Sequence, residues 1–328
     1  MNKLELESYP PEFRHLQTSQ NPNPNQDTDD VEPDKEADPI PDWGAFRLIN
    51  HGIPLSLLSQ LEEQAKQLFS KPFEFKQASC STTNNSPIKY FWGTPALTPS
   101  GATTLTHTIN LVEGFNVFLA QLSQFQPHHH QLPLLESFRV VLVEYGKHVS
   151  TIATTLFDAM VKNLDLKLDP SKRSSYISQT TGNVRVYRYP PCFDAKGGLG
   201  LEAHTDSSVV SILAQHDTVS GLQFLRHQRW LTLNPIPNTL IVNIGDMMQA
   251  ISEDRYKSAR HRVKLKVKER RERVSICYFV FPDEDVVIEN CKYKPFTYSH
   301  FRSHVQNDIN TLGFKVGLPR FIRPSTHH

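Results

Sequence analysis

Apolar residues are sparse and aperiodic over the first 41 positions, where Gln20-Asn21-Pro22-Asn23-Pro24 leads into the acidic run Asp27-Thr28-Asp29-Asp30-Val31-Glu32. Such a segment buries too little apolar surface to offset the entropy lost on ordering, so residues 1–41 are expected to be a mostly disordered or variable segment. A β-like run at Ala45-Phe46-Arg47-Leu48-Ile49 follows, closed by a turn at His51-Gly52. From Leu55 to Phe69, apolar residues recur at Leu57, Leu58, Leu61, Ala65 and Leu68 with a helical period, and Pro72 stops the helix. Residues 77–133 show no sustained period: Tyr90 to Pro95 reads as an aromatic loop, and His128-His129-His130 as a solvated tract. Leu134 to Leu164 is helical again, with Phe138, Val141, Leu142, Tyr145, Val149, Ala153 and Met160 on one stripe.

After Pro170 the texture changes to short β-rich runs between turn residues. They span Asn183 to Tyr189, Ser207 to Ala214, Gly221 to Phe224, Trp230 to Leu233, Leu240 to Ile244, His261 to Val267 and Arg273 to Phe281. A helical stretch from Tyr298 to Leu312 follows. The pattern predicts a mainly β core, an antiparallel sandwich or barrel, flanked by helices (α+β overall). One domain is expected over 42–322, with a helical part at 42–170, the β core at 180–285 and a tail at 323–328.

Composition narrows the function classes. The chain has 328 residues, is 38% hydrophobic and 21% charged, and carries a net charge of +1. That balance gives no reason to expect nucleic acid or a membrane surface as partner. No apolar run approaches the length of a membrane span, and the N-terminus lacks the apolar segment of a secretory signal. The four cysteines are scattered with no C-x-x-C pair, which fits a reducing compartment. A cytoplasmic monomer acting on a small molecule is the expectation.

The candidate chemistry lies between His204 and Ser275. In an extended strand, residues i and i+2 share a face, so His204 and Asp206 would project together. The strand at His261 alternates His261, Val263 and Leu265 against Arg262 and Lys264, and the strand at Arg273 puts Arg273, Ser275, Cys277 and Phe279 on one face. Two imidazoles and a carboxylate directed at one interior can form a facial triad for a redox-active iron, and the arginine and serine can hold an anionic co-substrate. Continuing the strand from His261 into a turn near Glu269-Arg270 would place Arg273 well along a hairpin; a long side chain or a bulge would bring it back. His51 reads as a turn cap, and Asp246 as stabilising a turn.

These residues fall into an ordered series: Trp43-Gly44-Ala45-Phe46, Asn50-His51-Gly52, Tyr189-Pro190-Pro191-Cys192, His204-Thr205-Asp206, Gly221-Leu222-Gln223, Asn243-Ile244-Gly245-Asp246, His261-Arg262 and Arg273-Val274-Ser275. In that series the chain resembles the plant 2-oxoglutarate- and iron(II)-dependent dioxygenases over roughly residues 42–322. The resemblance implies a double-stranded β-helix (jelly-roll) core, and Fe(2+) bound by His204, Asp206 and His261. It further implies 2-oxoglutarate with its far carboxylate on Arg273 beside Ser275 and Tyr189, O2 as oxidant, ascorbate as a candidate reductant, and release of succinate and CO2.

The stretches Phe296 to Phe301, Val305 to Ile309 and Gly313 to Phe321, with Tyr90 to Pro95, resemble the gibberellin 2-oxidases, especially those acting on C20 gibberellins. This implies oxidation of a diterpenoid acid and hormone inactivation, with Phe279, Tyr90 and Trp92 as candidate substrate contacts. An enzyme acting on another specialised metabolite is the alternative, as is a catalytically impaired jelly roll that only binds a ligand. Two features depart from the family. Tyr187 stands where asparagine is common, and Asp38-Pro39-Ile40-Pro41 runs directly into Asp42-Trp43, where relatives insert a strand and a helix. One strand and one helix are therefore expected to be missing, exposing a flank of the core.

Overall fold

A computed structural model describes residues 3–14, 43–80, 87–93, 110–122, 133–191, 198–215, 217–265 and 269–324. Two short helices, α1 (Lys3–Glu7) and α2 (Pro11–Arg14), open the chain, followed by strand β1 (Ala45–Leu48). Helix α3 (Leu55–Phe69) and the shorter α4 (Phe73–Ser79) precede a hairpin of β2 (Ile88–Trp92) and β3 (Glu113–Phe118). Then come α5 (Leu119–Leu122), the long α6 (Pro133–Asn163) and α7 (Pro170–Tyr176).

The β core begins with β4 (Asn183–Tyr189), β5 (Gly198–His204) and β6 (Val210–Ala214). It continues through β7 (Leu222–Arg226), β8 (Arg229–Thr232) and β9 (Leu240–Ile244) to helix α8 (Asp246–Ile251). Strands β10 (His261–Leu265) and β11 (Arg273–Val280) complete it, and α9 (Tyr298–Leu312) packs last. The strands form a seven-stranded antiparallel sheet, ordered β1-β9-β6-β11-β4-β3-β2, and a four-stranded one, ordered β5-β10-β7-β8. The mainly antiparallel, helix-flanked architecture agrees with the predicted jelly-roll core.

Alternation along the strands explains the layering. On β11, Val274, Ile276, Tyr278 and Val280 face one way, and all except Val274 join a core built with Leu61, Leu68, Phe138, Tyr145, Val149 and Phe157 of α3 and α6. Each of those side chains contributes roughly 1.5–3 kcal/mol by leaving water. Cys277 and Phe279 face the other way, with Tyr187, Tyr189, Leu213 and Ile241 of the large sheet and Leu201, Phe224 and Val263 of the small one. The large sheet is thus covered on both faces, which is why β6, β9 and β11 are buried throughout. The second face closes over the space where His204 and His261 sit.

Several expectations change. Residues 3–14 are ordered: Tyr9 and Phe13 are buried, and the Tyr9 ring lies 3.9 Å from the Arg188 guanidinium. The Ser8 carbonyl accepts hydrogen bonds from Lys76 Nζ (2.6 Å) and Arg188 Nη2 (3.1 Å), so distant cations order a segment whose local composition would not. Part of the supposedly irregular 77–133 stretch is the β2–β3 hairpin, whose charged Glu113 is neutralised in the interior by Lys76 and Arg188. Asp246 begins a helix rather than a turn. His51 does cap its turn, its Nδ1 accepting from the Ile53 amide at 3.2 Å.

The expected missing strand and helix bear on residues 15–42, and the histidine tract on 128–130; both lie outside the described residues. Among the described residues, no helix is long and apolar enough to cross a membrane.

Candidate metal centre

Strands β5 and β10 pair so that His261 is directly opposite His204. The two rings consequently share a face, with centroids 4.4 Å apart. Asp206 reaches them by another route. Strand β5 ends at His204, so the pleat does not align the pair as predicted; Asp206 lies in the loop beyond. Its backbone carbonyl accepts the Asp246 amide at 2.8 Å, the Met247 amide donates to the Ser208 carbonyl at 3.1 Å, and the Gly245 amide donates to Val209 at 2.9 Å. Gly245 makes this approach feasible, since a Cβ there would lie 1.9 Å from the Ser208 carbonyl oxygen.

The three candidate ligands are buried, with ligand atoms all within 4.8 Å of one another. Asp206 Oδ1 lies 3.7 Å from His204 Nε2 and 3.8 Å from His261 Nε2. Two atoms bound to one ion by bonds of about 2.1 Å can be at most about 4.2 Å apart, so these separations suit a shared ion.

The remaining atoms of each ligand are engaged elsewhere. His204 Nδ1–H donates to the Glu202 carbonyl at 2.7 Å and His261 Nδ1–H to the Ala259 carbonyl at 3.0 Å, which leaves both Nε2 lone pairs for the metal. Asp206 Oδ2 accepts from Ser211 Oγ and, at 3.4 Å, from Asn243 Nδ2, leaving Oδ1 on the metal side. Burial, aided by the neighbouring His261, lowers His204 to about 3, so it is neutral and able to ligate at physiological pH. For Asp206, burial favours the protonated form, but the two imidazoles and its hydrogen bonds outweigh it and hold the carboxyl below its ordinary range. Two neutral imidazoles and one carboxylate are the donor set of a non-haem iron site, with open positions on the opposite side of the ion.

Arg273 enters from the other sheet. It is not on a hairpin with His261: β10 belongs to the small sheet and β11 lies inside the large one, between β6 and β4. Its partner in register is Tyr189, whose ring centroid lies 5.1 Å from the guanidinium carbon. Arg273 is 1% exposed. Its Nη1 donates to Ser275 Oγ at 3.2 Å and its Nη2 to Gln215 Oε1 at 2.7 Å, while Nε has no partner among the described residues. A buried cation with neutral hydrogen-bond partners and a free N–H suits an incoming carboxylate. Burial pushes the Tyr189 phenol up to about 12 against the opposing pull of Arg273, so its hydroxyl remains a donor.

A cavity of about 240 Å³ adjoins His204 and Asp206. Phe279 lines it, with Tyr187, Phe281 and Tyr298. Arg185 also lines it, its guanidinium carbon 5.3 Å from the Phe279 ring centroid and its Nε donating to Asn116 Oδ1 at 3.0 Å. Tyr90 and Trp92 are elsewhere. The Tyr90 hydroxyl donates to buried Glu113 at 2.5 Å, and Trp92 packs edge-on against Phe13 and Phe73. The β2 strand carries them to the outer end of the large sheet, away from the metal ligands. Arg185 was missed, although alternation back from Tyr189 through Tyr187 puts it on the same face.

The sequence matches the model of the 2OG-Fe(II) oxygenase superfamily over residues 180–282, and that of the non-haem dioxygenase in morphine synthesis N-terminal region over residues 37–128. Gibberellin 2-beta-dioxygenase 6 of Oryza sativa subsp. japonica is 35% identical over 294 residues, covering 87% of this chain and 78% of the relative. Gibberellin 2-beta-dioxygenase 8 of Arabidopsis thaliana is 34% identical, covering 86% and 78%. The crystal structure of JOX2 in complex with 2OG, Fe and JA superposes with a TM-score of 0.68 at 26% identity, covering 86% of this chain and 82% of that one. With the paired histidines, the anchored carboxylate and these matches together, the chain belongs to the 2OG-Fe(II) oxygenase superfamily and is an iron- and 2-oxoglutarate-dependent oxidoreductase acting on a small organic molecule.

Proposed function

We propose that the enzyme oxidises a gibberellin at its 2-position and so inactivates the hormone. The observation that carries this reading is the cavity beside His204 and Asp206. Its aromatic walls, Phe279, Phe281 and Tyr298, suit a fused hydrocarbon skeleton, and Arg185 offers a guanidinium to its carboxylate. The gibberellin 2-beta-dioxygenases among the relatives support the same substrate class.

Bound iron, with 2-oxoglutarate and O2, supplies the oxidising chemistry and yields succinate and CO2 beside the oxidised product. The chain's own residues bind and orient. Arg273 takes the far carboxylate of 2-oxoglutarate, with the Ser275 and Tyr189 hydroxyls beside it. Tyr187, stacked on Tyr189 with ring centroids 6.1 Å apart, lines the substrate cavity on the side of that pocket. The stack of Phe279, Phe281 and Tyr298 excludes water from the bond to be oxidised. The enzyme works as a cytoplasmic monomer with no nucleic-acid partner, and ascorbate keeps the iron reduced.

The test is a panel of C19 and C20 gibberellins with jasmonic acid as comparison, supplied with Fe(II), 2-oxoglutarate and ascorbate and followed by mass spectrometry. A gibberellin product carrying one added oxygen at the 2-position, with matching succinate, is expected. Conversion of jasmonic acid without any gibberellin would instead favour a second reading, oxidation of another small plant acid, for which the JOX2 complex with JA is the supporting observation.

A further inference from the structure

The loop after α9 carries a cation beneath the ligand loop. The Lys315 side chain is 4% exposed, and its Nζ lies 2.6 Å from Asp246 Oδ2. The same ammonium donates to the Thr205 carbonyl at 2.9 Å and to Ser207 Oγ at 2.8 Å. Thr205 is the residue between the two ligands His204 and Asp206, and Ser207 is the next along. Asp246 completes the set: it accepts from Thr205 Oγ1 at 3.2 Å, and its amide donates to the Asp206 carbonyl at 2.8 Å. Each of residues 205–207 is therefore tied to Lys315 or to Asp246.

The position of Lys315 is itself fixed. Gly313, at φ 80°, ends α9 in the left-handed conformation. The Val316 amide then donates to the buried Asp308 carboxylate at 3.1 Å, and Arg320 pairs with the same group. Gly317, at φ 73°, turns the chain away. The ammonium also lies 5.5 Å from the centroid of the Phe301 ring on α9. The last helix and its cap thus deliver one cation to a defined point under the metal site.

We propose that Lys315 is a positioning residue of the metal centre, holding the 205–207 loop so that His204 and Asp206 converge on one ion. It touches no ligand atom. Its role follows from where β5 stops: between His204 and Val210 no strand pairing fixes the chain, so the hydrogen bonds to Thr205, Asp206 and Ser207 supply the constraint that a pleat would otherwise give. Groups that orient metal ligands typically change metal affinity by about 10–100-fold.

The experiment uses the full chain stripped of metal and titrated anaerobically with Mn(2+), a redox-quiet probe of the same donor set, alongside melting of the apo form. Lys315→Met is expected to weaken Mn(2+) binding by about 10–100-fold, and Lys315→Arg to recover much of the loss. Lys315→Met leaves Asp246 buried without its cation, which can compromise folding, so the variant combining Lys315→Met with Asp246→Leu is the second arm. That pair leaves no uncompensated charge, and weak Mn(2+) binding by a protein that still melts cooperatively is the expected result. Mn(2+) affinity within about twofold of wild type in the double variant overturns the proposal, as does a lowered melting temperature with unchanged affinity in the single one. The readout is independent of the organic substrate, so failure of the gibberellin reading leaves it intact.

Discussion

His261 and His204 are direct register partners on antiparallel strands, with ring centroids 4.4 Å apart. The pairing places two residues 57 positions apart in sequence on one face of the small sheet, while Asp206 is anchored to the large sheet through Ser211 on β6 and Asn243 on β9. The metal centre therefore spans both sheets, and the carboxylate's grip on the large one fixes its direction. Asn243→Leu combined with Ser211→Ala would release Oδ2 and let the carboxylate rotate. Metal affinity of the apo protein, measured by anaerobic titration, is expected to fall by about 10–100-fold with the two histidines untouched. Wild-type affinity in the double variant would mean that the loop backbone alone sets the carboxylate.

Much of this was legible where local pattern and final environment agree. Helix α3, helix α9 and strands β4 and β9 occupy the stretches that periodicity assigned, because each is an apolar run bounded by turn or breaking residues. The failures share another cause. Strand β3 carries Glu113, Gly114 and Asn116, which read as loop until Lys76 and Arg188 are seen to bury the carboxylate from far along the chain. Tyr9 is held by Arg188 and Phe13 by Trp92, partners equally far along the chain. A hairpin was the default between His261 and Arg273, whereas the chain crosses between sheets; that choice depends on which strands compete for β11, and no local signal records it.

Glu113 offers a stability test of that buried cluster. It is fully buried and accepts from Lys76 Nζ at 2.6 Å, Arg188 Nε at 2.6 Å and the Tyr90 hydroxyl at 2.5 Å. Burial already pulls the Lys76 amine down to about 8, against the attraction of Glu113. Glu113→Gln removes that attraction and leaves buried cations under-compensated, at a cost of about 3–5 kcal/mol in chemical denaturation. Deleting residues 2–14 should also destabilise the protein, since the Ser8 carbonyl and the Tyr9 ring complete the same cluster. A truncated protein as stable as the full chain would count against the bracing role.

Acid sensitivity should centre in part on Asp254. Burial would raise this carboxyl, but hydrogen bonds from Lys292, Tyr293, Gln249 and Lys257 prevail and hold it at about 2. Its ordinary value is near 3.8. Between those values the folded protein keeps the charge while the unfolded chain has taken up a proton. The stabilisation is accordingly complete above about pH 4, declines as pH falls towards 2, and is gone below; it amounts to about 2 kcal/mol at most. Asp254→Asn should lower stability at neutral pH and flatten the fall between pH 4 and 2, as followed by denaturation at fixed pH values. An unchanged slope would assign the acid response to other carboxylates.

Arg273 and Arg185 should separate kinetically, because one faces the Tyr189 pocket and the other the substrate cavity. Hydrogen bonds to a charged group are worth about 1.5–3 kcal/mol, equivalent to roughly 10–150-fold in an equilibrium constant. Arg273→Met is expected to raise the KM for 2-oxoglutarate by about that factor, both in substrate-free turnover to succinate and in coupled turnover. Arg185→Met should leave substrate-free succinate formation near wild type and raise the KM for the organic acid instead. The methyl ester of that acid supplies the control, since it cannot engage Arg185 as a carboxylate. With the ester, wild type and Arg185→Met should have similar KM values, whereas with the free acid they should differ. If both variants raised the same KM, the two guanidiniums could not be serving separate carboxylates, and Arg185 would be a wall residue.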